Sequence, residues 1–219
     1  CGELAAMRRG HAEYFLAFCE AVEPEMRGPN RRPWMARLEH ENSNLRAALA
    51  WYTEDVGPDA NPRDDDRIDR SDHGVQMAAA LTWFWFQGNH IREARGWYAA
   101  ALAAHSAAGH LPSATAALAL AQWGAGLMAM VESDLQTAHA YMEQSVAVAR
   151  QVGDIWVLAV CLREFDLLNL YEGDLVAADR HCEECVVLLR DAGCTWDLAL
   201  ALFNEGYIAS ALADNSRAV

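Results

Sequence analysis

The feature of this sequence that most constrains its fold is a repeat with a period of 40 residues. Identical residues recur at this spacing in the second half of the chain. The pairs are Gly153 and Gly193, Trp156 and Trp196, Leu158 and Leu198, Ala159 and Ala199, and Arg150 and Arg190. Because no alternating strand pattern accompanies the period, it predicts stacked helical hairpins, which build a long curved surface. Such a surface favours recognition over catalysis.

The same register extends to both sides of these pairs. Asp134, Asp174 and Asp214 follow the 40-residue step, and a double step joins Gly126 to Gly206. Asp214 stands where the second helix of the next hairpin is expected to begin, so the sequence predicts an array that is cut off in its last hairpin. Since the chain also starts with Cys1 in place of Met, we expect it to be an excerpt from a longer protein.

Composition and charge narrow the function classes. The 219 residues are 53% hydrophobic and 22% charged, which is typical of a folded globular chain. A net charge of −14 repels phosphate backbones, so no direct nucleic-acid contact by this segment is expected. The longest apolar run, from Met77 to Phe86, is shorter than the roughly 20 residues that cross a bilayer. We therefore expect no membrane contact.

The cysteines and the first residues indicate the compartment. No basic segment followed by an apolar core opens the chain, so no signal peptide is predicted. A helical domain of this size does not need disulfides, and most of its cysteines fall at apolar helical positions. The six are Cys1, Cys19, Cys161, Cys182, Cys185 and Cys194. Reduced thiols in a cytoplasmic protein are the expected state.

Helical periodicity divides the chain into three parts. Residues 1–54 are predicted to form a pair of helices, at 3–23 and from Pro33 to about Tyr52. Residues 55–73 are rich in Gly, Pro and Asp and predict a polar, mobile loop or insertion. Residues 74–219 predict the repeat array. Its helices are expected at 74–87, 90–108, 113–131, 134–151, 154–171, 174–192 and 195–212.

Part of this pattern resembles the tetratricopeptide repeat. In that family a small residue, a polar one, an apolar one and Ala three positions later open the second helix, as in Gly173 to Ala178 and in Ser133 to Ala138. Gly126 and Gly206 match the small residue at which the two helices of a hairpin approach closely, whereas Asp166 departs from that pattern. The resemblance covers residues 74–214 and implies an all-α, right-handed superhelix of about four helical hairpins.

The leading segment resembles the region that follows the nucleotide-binding and winged-helix parts of bacterial STAND-type ATPases. Many of these are transcriptional regulators of the LuxR or antibiotic-regulatory type. The matching segments are His11 to Ala17, Glu25 to Pro29, Trp34 to Glu39 and Asn44 to Trp51. The resemblance implies that residues 1–54 bridge to an ATPase region outside this chain. It also implies that the repeats act as a sensor arm, which receives an inducer or partner and controls the ATPase.

Two groups of residues are candidates for metal binding. Cys182 and Cys185, beside His181, have the spacing of half a zinc site, but no second pair of ligands lies at a suitable distance in the sequence. Both cysteines fall on the buried stripe of the repeat, so a core position is favoured. The acidic run around residues 64–66 lacks the ligand order of a calcium loop and favours a solvated loop. No metal and no cofactor are therefore predicted.

Catalytic motifs are missing from the sequence. It contains no P-loop, no nucleophile elbow and no zinc-protease motif. Arg163, Glu164 and Asp166 come nearest to a titratable cluster, yet neighbouring residues of a helix point in different directions. The chain is expected not to be an enzyme.

The remaining candidate is the inner, concave wall formed by the first helices of the hairpins. Aromatic residues and Arg at equivalent positions predict a binding surface there, because such residues dominate binding hot spots. The predicted residues are Trp83, Phe86, Trp123, Leu127, Arg163, Leu167, Phe203 and Tyr207. Packing against neighbouring helices is the alternative role for each of them.

The sequence as a whole predicts a non-enzymatic sensor and interaction module of a bacterial ATP-dependent transcriptional regulator. Its expected partner is another protein or the regulator's own ATPase domain, and a small-molecule inducer remains open. The alternative is a scaffold or self-association domain without a small ligand, which binds a protein segment or a second copy of the chain.

Overall fold

The computed structural model of the protein describes residues 2–27, 31–54, 65–108 and 114–212. In these ranges the chain forms eleven α-helices and one short 3-10 helix, with no β-strand. Two compact units, Cys1–Ser113 and Ala114–Val219, divide the molecule. The predicted all-α fold is confirmed. The predicted functional division at residues 54 and 73 stays a prediction.

The first unit contains six α-helices in its described residues. They are α1 (Gly2–Val22), α2 (Arg31–His40), α3 (Asn42–Thr53), α4 (Asp65–Ala80), α5 (Thr82–Gln87) and α6 (Ile91–Ala107), with the 3-10 helix Glu23–Arg27 after α1. Helix α1 packs on α3 and α4, and α6 also packs on both of these helices. The core between them holds fully buried side chains such as Cys19, Leu49, Met77 and Tyr98.

Two predictions in this unit are corrected. The predicted second helix is split into α2 and α3 at Glu41. Residues 65–73, expected to belong to a loop, form the first turns of α4. Arg70 explains part of this, since its guanidinium donates hydrogen bonds to the backbone carbonyls of Trp51 and Glu54 at the end of α3. Residues 55–64, the turn at Gly28 and Pro29, and Asp214 lie outside the described residues.

The second unit contains five described helices of nearly equal length. They are α7 (Ala116–Val131), α8 (Leu135–Val152), α9 (Ile155–Glu172), α10 (Leu175–Ala192) and α11 (Thr195–Ala211). Each helix packs on the next, and α9 also contacts α7 on one side and α11 on the other. Helices α7, α9 and α11 are therefore the first helices of successive hairpins, and α8 and α10 are the second helices.

The turns of this unit repeat every 20 residues. Gly153, Gly173 and Gly193 end α8, α9 and α10 with a positive φ between 69° and 83°, which glycine adopts without steric cost. After Gly153 and Gly173 the next residue is an aspartate that caps the following helix, as Asp154 does for α9 by accepting a hydrogen bond from the Val157 amide. Thus the 40-residue period seen in the sequence consists of two helices with the same two-residue turn.

Close packing of the first hairpin depends on Gly126. A Cβ atom added to Gly126 would lie 3.0 Å from the Met142 Cε and 3.2 Å from its Cγ, so α7 and α8 approach closely here. The corresponding position of α9 is Asp166, which is buried. At Gly206 of α11 an added Cβ would meet no described atom within 4 Å. The same repeat position is thus closely packed at Gly126, occupied by a buried carboxyl group at Asp166, and open at Gly206.

Candidate interaction surface

The eight residues predicted to line an inner wall differ widely in exposure. Three are exposed, namely Phe86, Phe203 and Tyr207. Two are partly buried, namely Trp83 and Leu167. Three are buried, namely Trp123, Leu127 and Arg163. A partner cannot contact these last three in this conformation, so the predicted wall reduces to its exposed and partly buried members.

Arg163 is buried because it binds two carboxylates. Its Nη1 lies 3.2 Å from the Asp197 Oδ1 of α11, and its Nη2 lies 2.9 Å from the Glu164 Oε1. Only 3% of the Arg163 side chain is exposed. Asp197 also accepts a hydrogen bond from the Trp156 Nε1 at 3.0 Å. The ion pair therefore joins α9 to α11 and has a structural role.

A buried carboxyl group, that of Asp166, interacts with the charge of Arg163 in this ion pair. Asp166 is fully buried, and its burial, with a smaller effect from Glu164, raises its pKa to about 8. Asn204 of α11 donates a hydrogen bond to the Asp166 Oδ1 at 2.9 Å. This hydrogen bond opposes the rise most, followed by the charge of Arg163 and the Cys182 thiol of α10. A pKa above 7 favours the neutral form of Asp166 at pH 7, and its hydrogen bond with Asn204 joins α9 to α11.

His181 of α10 completes the polar interior. Its ring stacks on Phe165 of α9 with centroids 4.6 Å apart, and its Nδ1 lies 3.1 Å from the Asn169 Nδ2. Burial, followed by the positive charge of Arg180, lowers the pKa of His181 below its ordinary value. Since a neutral imidazole accepts from the amide and stacks on the ring, His181 acts as a packing residue.

The predicted core positions of Cys182 and Cys185 are confirmed. Both are fully buried, and their Sγ atoms point to different carbonyls, those of Ala201 and Ala159. Burial raises the pKa of the Cys185 thiol to about 12. In the described parts of the chain, no group of three His, Cys, Asp or Glu side chains is arranged to hold a metal ion.

The main exposed apolar surface of the second unit runs along α11. We name it the α11 stripe, and it consists of Trp196, Ala199, Leu202, Phe203 and Tyr207. Phe203 is 62% exposed and Tyr207 is 57% exposed, and their rings meet edge to face with centroids 5.0 Å apart. Exposed contiguous apolar groups of this kind mark interaction surfaces. Sequence analysis found Phe203 and Tyr207 but did not assign Trp196 and Leu202 to this surface.

The register of the repeat shows what the α11 stripe is suited to contact. The positions of α9 that correspond to Ala199, Leu202 and Phe203 are Ala159, Leu162 and Arg163, and all three are buried. The Cys185 thiol of α10 donates to the Ala159 carbonyl, while Arg163 pairs with Asp197 of α11. Helices thus cover this side of α9. Within the described residues, which end at residue 212, the same side of α11 is exposed.

The charged residues of α11 itself have one sign. Helix α11 contains two acidic residues, Asp197 and Glu205, and no basic residue. Asp197 is already paired with Arg163. A partner surface with basic side chains around an apolar centre is therefore complementary to α11, because opposite charges favour encounter and orientation.

Comparisons with known proteins find relatives that are named as transcriptional regulators. No protein-family model matches the chain. Proteins named "Putative HTH-type transcriptional regulator" from Mycobacterium bovis and from two strains of Mycobacterium tuberculosis are 30% identical to it over 154 residues. The match covers 66% of this chain and 15% of each relative. The chain thus spans about 15% of the length of these relatives.

Two solved structures share the fold. BtubC (BKLC) from P. vanneervenii matches 94% of this chain and 86% of its own, with a TM-score of 0.63 and 14% identity. PilW, a widely conserved type IV pilus biogenesis factor, matches 99% of this chain and 86% of its own, with a TM-score of 0.52 and 18% identity. The chain has a tetratricopeptide-like helical-repeat fold. None of the described helices is long and apolar enough to cross a membrane.

Proposed function

We propose that this chain is a protein-interaction region of a bacterial transcriptional regulator, and that the α11 stripe binds an amphipathic helix of a partner protein. The observation that carries the proposal is the pair of exposed aromatic rings of Phe203 and Tyr207, which meet edge to face on the surface of the described second unit. Aromatic side chains at such a position contribute strongly to binding.

The chemistry of the partner helix follows from the stripe. Leu202, Phe203 and Tyr207 offer apolar and aromatic area, so the partner helix presents an apolar face with a small residue opposite the rings. Since α11 has acidic and no basic residues, Lys or Arg flank that face on the partner. An apolar helix face laid against an apolar surface is a recurrent mode of peptide recognition.

The regulator to which this region belongs is proposed to be of the ATP-dependent STAND type. The names of the mycobacterial relatives and their much greater length support a regulator with further regions. The resemblance of residues 11–51 to the segment after the winged-helix part of STAND regulators supports the ATPase assignment. In this view the region acts without catalysis in the cytoplasm, and a partner shifts the regulator between active and inactive arrangements.

Site-specific photo-crosslinking in the source bacterium tests the interaction. A benzoylphenylalanine replaces Phe203 in one variant of the protein, and Tyr171 in the control variant. Tyr171 is equally exposed and lies on α9, outside the stripe. We expect the Phe203 variant to crosslink to a defined peptide, which mass spectrometry identifies as a basic-flanked amphipathic helix, and the Tyr171 variant not to do so.

Other outcomes contradict the proposal in distinguishable ways. Crosslinks from position 203 into a second copy of the chain would establish the self-association alternative in place of a partner protein. Equal crosslinking from positions 203 and 171 would mean that the stripe has no special role. A specific peptide that is not helical or lacks basic residues would overturn the assigned partner chemistry.

A further inference from the structure

A groove of about 300 Å³ lies in the first compact unit, between the end of α3, the start of α4 and one face of α6. It is separate from the α11 stripe, which belongs to the second unit. Its polar end is formed by Glu54, Arg67 and Arg70. The volume is at the lower end of the range of small-molecule sites, roughly 300–1,000 Å³. The groove is thus large enough for a small ligand.

Arg70 at the polar end is held by fixed contacts, some of which it shares with Arg8 outside the groove. The Arg70 guanidinium lies 4.2 Å from the centroid of the Trp51 ring, and Arg8 lies 4.9 Å from the same ring. Both arginines also pair with the Glu54 carboxylate, at 3.0 Å for Arg8 and 3.5 Å for Arg70. Because Trp51 and Glu54 order Arg70 before any ligand arrives, little entropy of the Arg70 side chain is lost on binding.

Of the described charged side chains that line the groove, Arg67 and Arg70 are cationic and Glu54 is anionic. The Glu54 carboxylate already forms ion pairs with both Arg8 and Arg70. Arg67 also lines the groove, and in the described part of the chain it has no ion-pair or hydrogen-bond partner. Burial lowers the pKa of Arg70, and the charges of Arg8 and Arg9 lower it further, against the effect of Glu54. The positive charges of Arg8, Arg9 and Arg70 thus repel one another. An anion bound here reduces this repulsion, in a chain whose overall charge is −14.

The rest of the groove is apolar. Ala100, Ala103, Ala104 and Ala107 follow one another along one face of α6 and form its wall. These short side chains leave space above the helix, while the nearby Thr53 and Ser71 hydroxyls already donate to backbone carbonyls of their own helices. Arginines at one end and alanines along the wall thus match a ligand with an anionic head and an apolar body.

We propose that this groove binds a small carboxylate or phosphate that carries an apolar body. The anionic group lies beside Arg67, and the apolar body lies along the alanines of α6. This site goes beyond the proposed partner-binding function, since it uses other residues in the other compact unit.

Isothermal titration calorimetry on the purified 219-residue chain tests the site. The probes are octanoate and octyl phosphate, with inorganic phosphate and octyltrimethylammonium as comparisons. We expect saturable 1:1 binding of one or both amphipathic anions and none of the cation. Replacing Arg67 with Ala is expected to weaken binding about tenfold, because a charge-assisted hydrogen bond is lost. Octanoate and octyl phosphate together show whether the preferred head group is a carboxylate or a phosphate.

A pair of charge variants supplies the matched control. Ala103→Glu places a carboxylate in the groove, whereas Ser106→Glu places it on an exposed position of α6 that does not line the groove. The first variant is expected to abolish binding and the second to leave it intact, with equal thermal stability. The proposal is overturned if both variants bind equally, if the cation binds as well as the anions, or if inorganic phosphate alone binds as tightly as the octyl compounds.

Discussion

Asp166 of α9 and Asn204 of α11 are joined by a buried hydrogen bond, in which the Asn204 amide donates to the Asp166 carboxyl over 2.9 Å. The same amide donates to the Arg163 carbonyl at 3.1 Å. Asn204 thus connects the first helices of two successive hairpins with both of its amide hydrogens. The connection depends on a carboxyl group whose charge varies with pH, and this makes the stability of the second unit sensitive to pH.

The pH dependence has a defined sign. Burial raises the pKa of Asp166 from about 4 in the unfolded chain to about 8 in the fold. Between these values the folded state binds more protons, so the free energy of unfolding decreases as pH rises, by up to about 1.4 kcal/mol per unit. Urea unfolding of the wild type and of Asp166→Asn at pH 5, 6.5 and 8 measures this. In the variant, the free energy of unfolding should fall much less between pH 5 and pH 8 than in the wild type. An identical dependence of this free energy on pH in both proteins would refute the prediction.

The Arg163–Asp197 pair predicts a strongly non-additive double mutant. Asp197→Ala leaves a buried guanidinium with Glu164 alone, and we expect it to cost about 3 kcal/mol of unfolding free energy. Arg163→Met combined with Asp197→Leu replaces both charges by apolar groups, and the cost should be smaller than that of Asp197→Ala. Chemical denaturation of the two variants tests this. A double variant that is less stable than Asp197→Ala would contradict the prediction.

Gly126 and Gly206 occupy the same repeat position and predict opposite effects of one substitution. Gly126→Ala forces Met142 to move and is expected to destabilise the fold by about 1–2 kcal/mol. Gly206→Ala meets no described atom within 4 Å and should stabilise α11 by about 0.5–1 kcal/mol, since alanine restricts the unfolded chain. Each variant is the control for the other in thermal unfolding. Equal shifts of the same sign would contradict this account.

Cys194 predicts a stabilising substitution. It precedes α11 with φ −79° and ψ 76°, close to the φ −82° and ψ 75° of Asp174 before α10. Asp174 caps its helix by accepting from the Ala177 amide, whereas the Cys194 side chain makes no cap hydrogen bond. Cys194→Asp should add about 0.5–1 kcal/mol. Cys194→Ser should give a smaller gain in melting temperature, because serine can cap the helix but carries no negative charge to interact with the helix N-terminus.

The helix boundaries of the second unit could be predicted closely from the sequence. Predicted helices at 134–151, 154–171 and 174–192 correspond to α8, α9 and α10 within one residue at each end. This precision arises because glycine and aspartate mark the turns by local backbone chemistry, which requires no knowledge of tertiary contacts. The 40-residue repeat then repeats the same local signals along the chain.

Burial on the inner wall could not be predicted in the same way. Phe203 and Arg163 occupy equivalent positions, yet one is exposed and the other is buried. The difference depends on Asp197, a residue 34 positions after Arg163 that stands where the previous hairpin has Val157. The sequence signal for this burial was Asp197, a charged residue at a repeat position that is apolar in the preceding hairpin. In the first unit, the helical start of α4 likewise depends on the distant contact of Arg70 with the end of α3.

The Gly-Asp turns make the second unit modular at the level of the gene. Residues 134–173 begin with a capping aspartate and end with a left-handed glycine, so a tandem copy of this segment would join Gly173 to Asp134 and recreate a native turn. Each helix would keep its 18 residues, about 27 Å, and its packing register. Insertion or loss of 40-residue segments can therefore change the length of such an array without disturbing its neighbours.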